Sequence, residues 1–356
     1  MKILHSADWH LDSAFVGRSA DAVAALRRAQ LRLPGLLAEK CRELGCDMVL
    51  LAGDLFDGSW SRDSVDVLRK ALADMAVPVF ISPGNHDFIA PDSPWLREIW
   101  PDNVHIFKEN TMQSVAVPDL DCRVYGAGFA AMDCGPLMED FAKEGNETFH
   151  IAVLHGDPAQ KKSPYNPISQ AQVAASGLDY MALGHVHKAG SLRAGETLCA
   201  WPGCPMGRGF DELEEKGFLL VTVEEQTAAE WIPLDTPRFY DLETEILTDP
   251  VTAVASALPA VGNDHYYRIT LTGEWDNLDM TQLSATFDRF PNLELRDRTV
   301  PVTDLWACAG EDSLAGMYFG MLKAALAEAA EEEQQTLTLA AKISRRILDG
   351  REVELP

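Results

Sequence analysis

Three short apolar runs open the chain, Lys2–Ser6, Met48–Ala52 and Val77–Ser82, and each ends in turn residues, as buried strands do. Helical periodicity fills the gaps, over Ala20–Leu44 (interrupted by Pro34-Gly35) and Asp63–Met75. This alternation predicts βαβ units, with function on the loops beyond the C-terminal ends of the strands. From Val104 the strand patterns crowd together: Val104–Phe107, Cys122–Tyr125, Thr148–Leu154, Tyr180–Leu183, Leu198–Trp201 and Gly217–Val223. Met1 to about Pro233 therefore reads as one layered α/β domain, two packed sheets flanked by helices.

Thr236-Pro237 reads as a linker. Beyond it, strand patterns at Tyr240–Leu247, His265–Thr272 and Asn292–Asp297 alternate with helical ones near Val251–Leu258 and Met280–Phe290, which makes a smaller α/β module. In the tail, Leu314, Met317, Tyr318, Met321, Leu322 and Leu326 share one helical face. That face either docks a partner or packs on its own domain. A Glu331–Glu333 run and a weaker helical stretch around Leu339–Leu348 follow. The expected division is 1–235, 236–310 and a helical tail over 311–356.

The candidate chemistry lies where the strands end. Asp8-Trp9-His10, Gly53-Asp54-Leu55-Phe56-Asp57, Gly84-Asn85-His86-Asp87, Leu154-His155-Gly156 and Gly184-His185-Val186-His187 follow one another in order, and five of the nine histidines fall in them. Singly each is weak, because a lone histidine is usually a satisfied surface or core residue. Together they supply carboxylate, imidazole and amide ligands for two metal ions, without thiolate. Such a set suits catalytic Mn²⁺, Fe or Zn²⁺ better than a structural zinc. Two ions about 3.5–4 Å apart can hold an attacking hydroxide and stabilise an in-line displacement at phosphorus. One carboxylate must bridge them, and Asp54 at a strand tip is the natural bridge. The glycines before Asp54, Asn85 and His185 permit the tight turns this needs.

These five segments resemble the calcineurin-like metallophosphoesterase superfamily. The resemblance implies an α/β/β/α domain of two layered sheets with a smaller α/β capping domain and a helical C-terminal tail. It also implies a ligand division. One metal falls to Asp8, His10, Asp54 and His187, the second to Asp54, Asn85, His155 and His185. His86 then protonates or stabilises the leaving oxygen, with Asp87 fixing its orientation. Asp57 is either a partner behind the ligands or a helix N-cap, with the cap favoured. Within the superfamily, ADWHLDSAF, GDLFD and WPGCPMGRGFDELEEKGFLLVTV resemble the bacterial DNA repair exonucleases of the SbcD/YhaO type. That likeness implies two divalent ions, Mn²⁺ first with Fe, Zn²⁺ or Mg²⁺ as alternatives. It further implies DNA as substrate, a cap that helps guide it, an SMC-like ATPase partner docking on helices after the cap, and a homodimer. Cys204 and Met206 depart from the small or polar residues expected in that last loop, which puts its contact with substrate in question.

Composition qualifies this picture. The net charge of −25 opposes a protein that grips DNA by releasing counterions, although two bound divalent ions would add local positive charge. Basic residues near the motifs are few: Arg18, Lys161, Lys162, Lys188 and Arg208. A nucleotide or small phosphodiester is therefore the alternative substrate. An inactive DNA-end-binding subunit is a third reading, opposed by a full ligand set. Protein phosphatase activity is a fourth, opposed by the cap. Trp9, Phe15 and Trp60 could stack on bases, but packing is favoured for each, most strongly for Trp9. Seven scattered cysteines without a CxxC pair fit free thiols in a reducing cytoplasm. No apolar run reaches membrane-spanning length, and MKILHSADWH reads as a buried strand rather than a signal peptide.

Overall fold

A computed structural model describes residues 1–16, 18–158, 160, 162–213, 215–260, 264–302 and 304–350, without the side chains of 331, 332 and 335. Lys161, one of the basic residues noted above, lies outside the described residues. The first half of the chain runs β1 (Lys2–Ser6), α1 (Ala20–Leu44), β2 (Met48–Leu51), α2 (Arg62–Met75), β3 (Val79–Ile81), α3 (Pro94–Arg97), β4 (Val104–Ile106), β5 (Gln113–Val117) and β6 (Cys122–Gly126). It continues with β7 (Phe149–His155), α4 (Gln170–Ser176), β8 (Tyr180–Gly184), β9 (Gly190–Ala194), β10 (Thr197–Trp201), β11 (Gly217–Thr222) and β12 (Ala228–Pro233).

These strands build two six-stranded mixed sheets, ordered β12-β11-β1-β2-β3-β4 and β5-β6-β7-β8-β10-β9. The centre of each is parallel: β1 to β4 in the first, β6, β7, β8 and β10 in the second. Alternation along the strands creates the layers. Ile3, Met48, Leu50 and Phe80 meet Val124, Ile151, Val153, Tyr180 and Ala182 between the sheets. Leu4, Val49, Leu51, Val79 and Ile81 turn the other way, onto Leu26, Leu33 and Leu37 of α1 and Val65, Leu68 and Leu72 of α2. On the far side, Ala152, Leu154, Met181 and Leu183 pack with Val173 of α4. Strands buried on both faces read as continuous apolar runs, and each fully buried Val, Leu or Ile contributes about 1.5–3 kcal/mol. The result is the expected α/β/β/α stack.

Two expectations change. Helix α1 is not interrupted at Pro34-Gly35 but runs 25 residues through them. Losing one backbone donor costs about 3 kcal/mol, and burial of Leu33, Pro34, Leu37 and Ala38 against the first sheet offsets it. Strands β5, β9 and β12 had no counterpart in the sequence reading. They are edge strands, each antiparallel to its neighbour.

A third sheet, ordered β13-β14-β15, joins β13 (Phe239–Glu245), β14 (Tyr266–Thr272) and β15 (Leu293–Asp297), with α5 (Pro250–Ala257) and α6 (Met280–Thr286) between them in sequence. The tail is α7 (Leu314–Glu328) and α8 (Glu331–Leu348). Phe319 of α7 is fully buried among Trp306, Cys308 and Ala341, whereas Leu314, Met317 and Met321 are exposed. The chain divides into two compact units: Met1–Leu242 with Ala260–Arg268 and Arg289–Glu294, and Glu243–Pro259 with Ile269–Asp288 and the chain from Leu295. Among the described residues no helix is long and apolar enough to cross a membrane.

Candidate metal centre

Every expected ligand sits at or just beyond the C-terminal end of a central parallel strand. Asp8 and His10 follow β1, Asp54 follows β2, and Asn85 follows β3; His155 ends β7, and His185 and His187 follow β8. The loops are stitched to one another by backbone hydrogen bonds, with Asp8 N donating to Gly53 O at 3.0 Å and His10 N to Asp54 O at 2.9 Å. Asp8, His10, Asp54 and His185 all hold positive φ, from 47° to 92°. Non-glycine residues adopt this region at a cost of about 1–3 kcal/mol each. The local backbone is therefore shaped for the site rather than for its own comfort. Two glycines make room. A Cβ on Gly53 would lie 2.6 Å from His155 Nδ1, and one on Gly84 would collide with Asp54 Oδ1.

The donors converge in two sets that share Asp54. Its Oδ2 lies 3.8 Å from His10 Nε2 on one side and 3.4 Å from His155 Nε2 on the other. In the first set, His10 Nε2 and His187 Nε2 are 3.2 Å apart, and His187 Nε2 is 4.0 Å from Asp8 Oδ1. In the second, His155 Nε2 is 2.9 Å from Asn85 Oδ1, and the His185 ring packs edge-on to His155 with centroids 5.2 Å apart. Asp8 also forms a ligand-capable set with Asp54 and His155, and His10 one with Asp54 and His86.

Tautomers decide what these short approaches mean. His10 Nδ1 faces Asp57 Oδ1 at 3.0 Å, and His187 Nδ1 faces Glu212 Oε1 at 2.8 Å. His155 Nδ1 faces Ala52 O at 2.9 Å. All three partners are acceptors, so the imidazole protons reside on Nδ1 and the Nε2 lone pairs point inward. Lone pair then faces lone pair between His10 and His187, and again between His155 and the oxygens of Asn85 and Asp54. Two such convergences repel unless a cation sits in each. The residues therefore fit a pair of divalent ions, with Asp54 common to the two donor sets that would hold them. Burial acts to raise the Asp54 carboxyl, and the His86 backbone N–H, donating to Asp54 Oδ1 at 2.9 Å, acts to lower it. Burial lowers His10 and His185, which favours the neutral imidazole that a metal ion would require.

The residues behind the ligands differ from expectation. Asp87 does not orient His86. Buried, it accepts from Gly84 N at 2.7 Å, Leu55 N at 2.8 Å and Asp54 N at 3.2 Å, and so staples the Asp54 turn to its own. The orienting carboxylate is Asp57, whose Oδ1 lies 3.1 Å from His86 Nδ1 as well as beside His10. Nor is Asp57 a cap, because α2 is capped by Ser61 in a reciprocal pair with Ser64. Burial pushes Asp57 up, but its pairs with His10 and His86 outweigh that and hold it far below the carboxylate range. The pair with Asp57 raises His86. The His86 side chain is 39% exposed and stands at the open edge.

Glu212 was missed. It is buried, and burial alone would raise it, yet His187 and Arg208 hold it well below its usual range. Nothing in Asp211-Glu212-Leu213-Glu214-Glu215 marks the second position over the others. The loop before it packs under His187, with Cys204 N donating to His187 O at 3.2 Å. Cys204 and Met206 turn inward and are buried, and the Cys204 thiol lies 3.7 Å from His187 O, so the departures noted there support the His187 backbone from within. Trp9 and Phe15 are buried and Trp60 packs on the core, as packing required.

The chain is 31% identical over 245 residues to the uncharacterized metallophosphoesterase YhaO of Bacillus subtilis (strain 168), an alignment covering 63% of this chain and 57% of that one. The match thus spans less than two thirds of the relative's length. Among solved structures, a dimetal phosphatase from Danio rerio aligns at 11% identity and a TM-score of 0.41, over 65% of this chain and 95% of that one. Purple acid phosphatase PPD1 from yellow lupin (Lupinus luteus) aligns at 14% identity and a TM-score of 0.42, over 65% of this chain and 51% of that one. Residues 1–189, which carry all seven expected ligands and His86, match the calcineurin-like phosphoesterase family model, and the chain belongs to that family.

Proposed function

We propose that the chain is a two-metal phosphodiesterase acting on DNA as an exonuclease or endonuclease. The observation that carries the reaction class is the pair of converging lone-pair sets sharing Asp54 Oδ2. When bound, two divalent ions supply Lewis-acid stabilisation of a phosphoryl group and a water acidified to near neutrality. The protein's own groups do the rest. His86, held through Nδ1 by Asp57, presents Nε2 at the open edge, where its proton can pass to the leaving oxygen. Asp8, Asp54 and Asn85 fix the ligand cradle, and Asp87 keeps the Asp54 turn in register.

The finer assignment to DNA repair rests on the likeness of ADWHLDSAF, GDLFD and the loop through Arg208 to the SbcD/YhaO type, together with the similarity to YhaO. Mn²⁺ is the ion we assign, from the mixed hard and imidazole donors. An SMC-like ATPase is the partner we assign to the exposed Leu314, Met317 and Met321 on α7. Seven free cysteines support a reducing, cytoplasmic setting. A second reading, a nucleotide or small phosphodiester as substrate, is favoured by the net charge of −25.

Linear duplex DNA tagged differently at its 5′ and 3′ ends separates these readings, with Mn²⁺ present and the His86→Ala protein alongside. Release by the wild type alone supports the nuclease, and the order of tag loss gives its polarity. Hydrolysis of bis(p-nitrophenyl) phosphate with intact DNA would move the small substrate into first place.

A further inference from the structure

Arg208 is placed against both carboxylates that back the ligand imidazoles. Its Nε lies 3.1 Å and 3.3 Å from the two Glu212 oxygens, and its Nη2 lies 2.6 Å from Glu212 Oε1. The backbone closes the clamp, with Arg208 N donating to Glu212 Oε2 at 2.8 Å. One edge of the guanidinium is thereby fixed. His187 Nδ1 gives its proton to Glu212, so the 3.2 Å approach of Arg208 Nη2 to that nitrogen is a contact without a hydrogen bond.

The other edge is uncommitted. Arg208 Nη1 lies 3.8 Å from Asp57 Oδ1, beyond hydrogen-bond reach, and that oxygen already serves His10 and His86. Among the described residues no acceptor lies within hydrogen-bonding distance of Nη1. The side chain is 23% exposed, so the free edge is reachable from solvent. It shares the Asp57 oxygen with His86, the residue assigned to the leaving group, and sits beside His187 of the first ligand set.

We infer that Arg208 is a phosphate-contacting residue: Nη1–H donates to a non-bridging oxygen of the scissile phosphate, while Glu212 holds the guanidinium in place. The inference rests on the phosphodiesterase reading above and names the group that recognises the substrate's charge. It supplies a fixed cation where the surrounding chain is strongly acidic. Arginine suits the task because one edge can be anchored to a carboxylate while the remaining donors meet phosphate. Lysine, with a single point charge, cannot serve both.

The test uses Mn²⁺-loaded wild type, Arg208→Ala and Arg208→Lys. Metal content is read by elemental analysis, turnover with bis(p-nitrophenyl) phosphate, and inorganic phosphate binding by calorimetry. Arg208→Ala should keep both ions, lose kcat/KM on the order of 10²-fold, and bind phosphate about tenfold or more weakly. Added guanidinium should restore part of its activity and none to His86→Ala. Arg208→Lys should fall between wild type and Arg208→Ala. Unchanged kcat/KM with unchanged phosphate affinity would overturn the assignment. So would loss of metal from Arg208→Ala and Arg208→Lys alike, which would make Arg208 a support for Glu212 alone. If the wild type hydrolyses no phosphodiester, the broader reading fails; phosphate calorimetry still decides Arg208, because equal affinity in wild type and Arg208→Ala overturns it.

Discussion

The two donor sets of the candidate metal centre are built on different backing. His10 and His187 each give Nδ1–H to a buried or half-buried carboxylate, Asp57 or Glu212. His155 gives its proton to a backbone carbonyl, Ala52 O, and its neighbour in the cradle is the neutral amide of Asn85. A carboxylate partner enriches the imidazole lone pair and adds negative charge nearby, whereas a carbonyl only orients the ring. The His10–His187 position should therefore hold its ion more tightly, and the His155–Asn85 position should exchange more readily.

Removing the shared element should erase the contrast altogether. Asp54→Asn is expected to abolish turnover and weaken both ions together; two tightly held ions in that protein would refute the bridge. His86→Ala comes next, with turnover cut about 10²–10⁴-fold and metal content unchanged. Loss of an ion there would instead make His86 a ligand, as its grouping with His10 and Asp54 would allow. Glu212→Gln should weaken only the first position, by about 10–100-fold, leaving the second as in wild type. Titration with Mn²⁺ watched by paramagnetic resonance would resolve the two steps, and equal weakening of both would break the comparison.

The smallest expected effect concerns the seam between the halves. His5 is fully buried on β1, with Nδ1 2.7 Å from the Tyr180 hydroxyl and Nε2 3.1 Å from Leu183 O on β8. It thereby links the strand that leads to Asp8 with the strand that leads to His185. Burial lowers its pKa from 6.5 to about 3. The folded chain keeps it neutral while the unfolded chain takes up a proton, so its contribution is complete above pH 6.5 and declines as pH falls toward about 3. The slope is about 1.4 kcal/mol per pH unit. Thermal melts of metal-free protein across that window should show the slope, and His5→Asn should lack its share.

The sequence disclosed these parts unequally. The clustering of candidate ligands at the ends of doubly buried strands was legible, because a continuous apolar run followed by Gly-Asp or Gly-Asn-His has few other uses. The edge strands β5, β9 and β12 were not. Facing solvent on one side, they mix polar and apolar residues, and their pairing is set by the neighbouring strand rather than by their own composition. Pro34 suggested a break in α1 because local propensity cannot weigh burial against the first sheet. The exchange of roles between Asp57 and Asp87 turned on a few ångströms of loop geometry. Glu212 was hidden, and Arg208 stood out only as one basic residue near the motifs, for a different reason: a single acidic or basic residue in a charged stretch acquires its role only when the chain folds back onto His187.

The left-handed backbone at Asp8, His10, Asp54 and His185 has a consequence for evolution in the laboratory. At each of these positions a glycine would relax the main chain by about 1–2 kcal/mol while deleting an expected ligand and, at Asp8 and Asp54, the acceptor of His185 N or His86 N. A screen that rewards only resistance to heat would therefore give up the side chains whose backbone relaxation outweighs the hydrogen bonds lost with them. Only selection for turnover keeps those four side chains where the backbone least wants them.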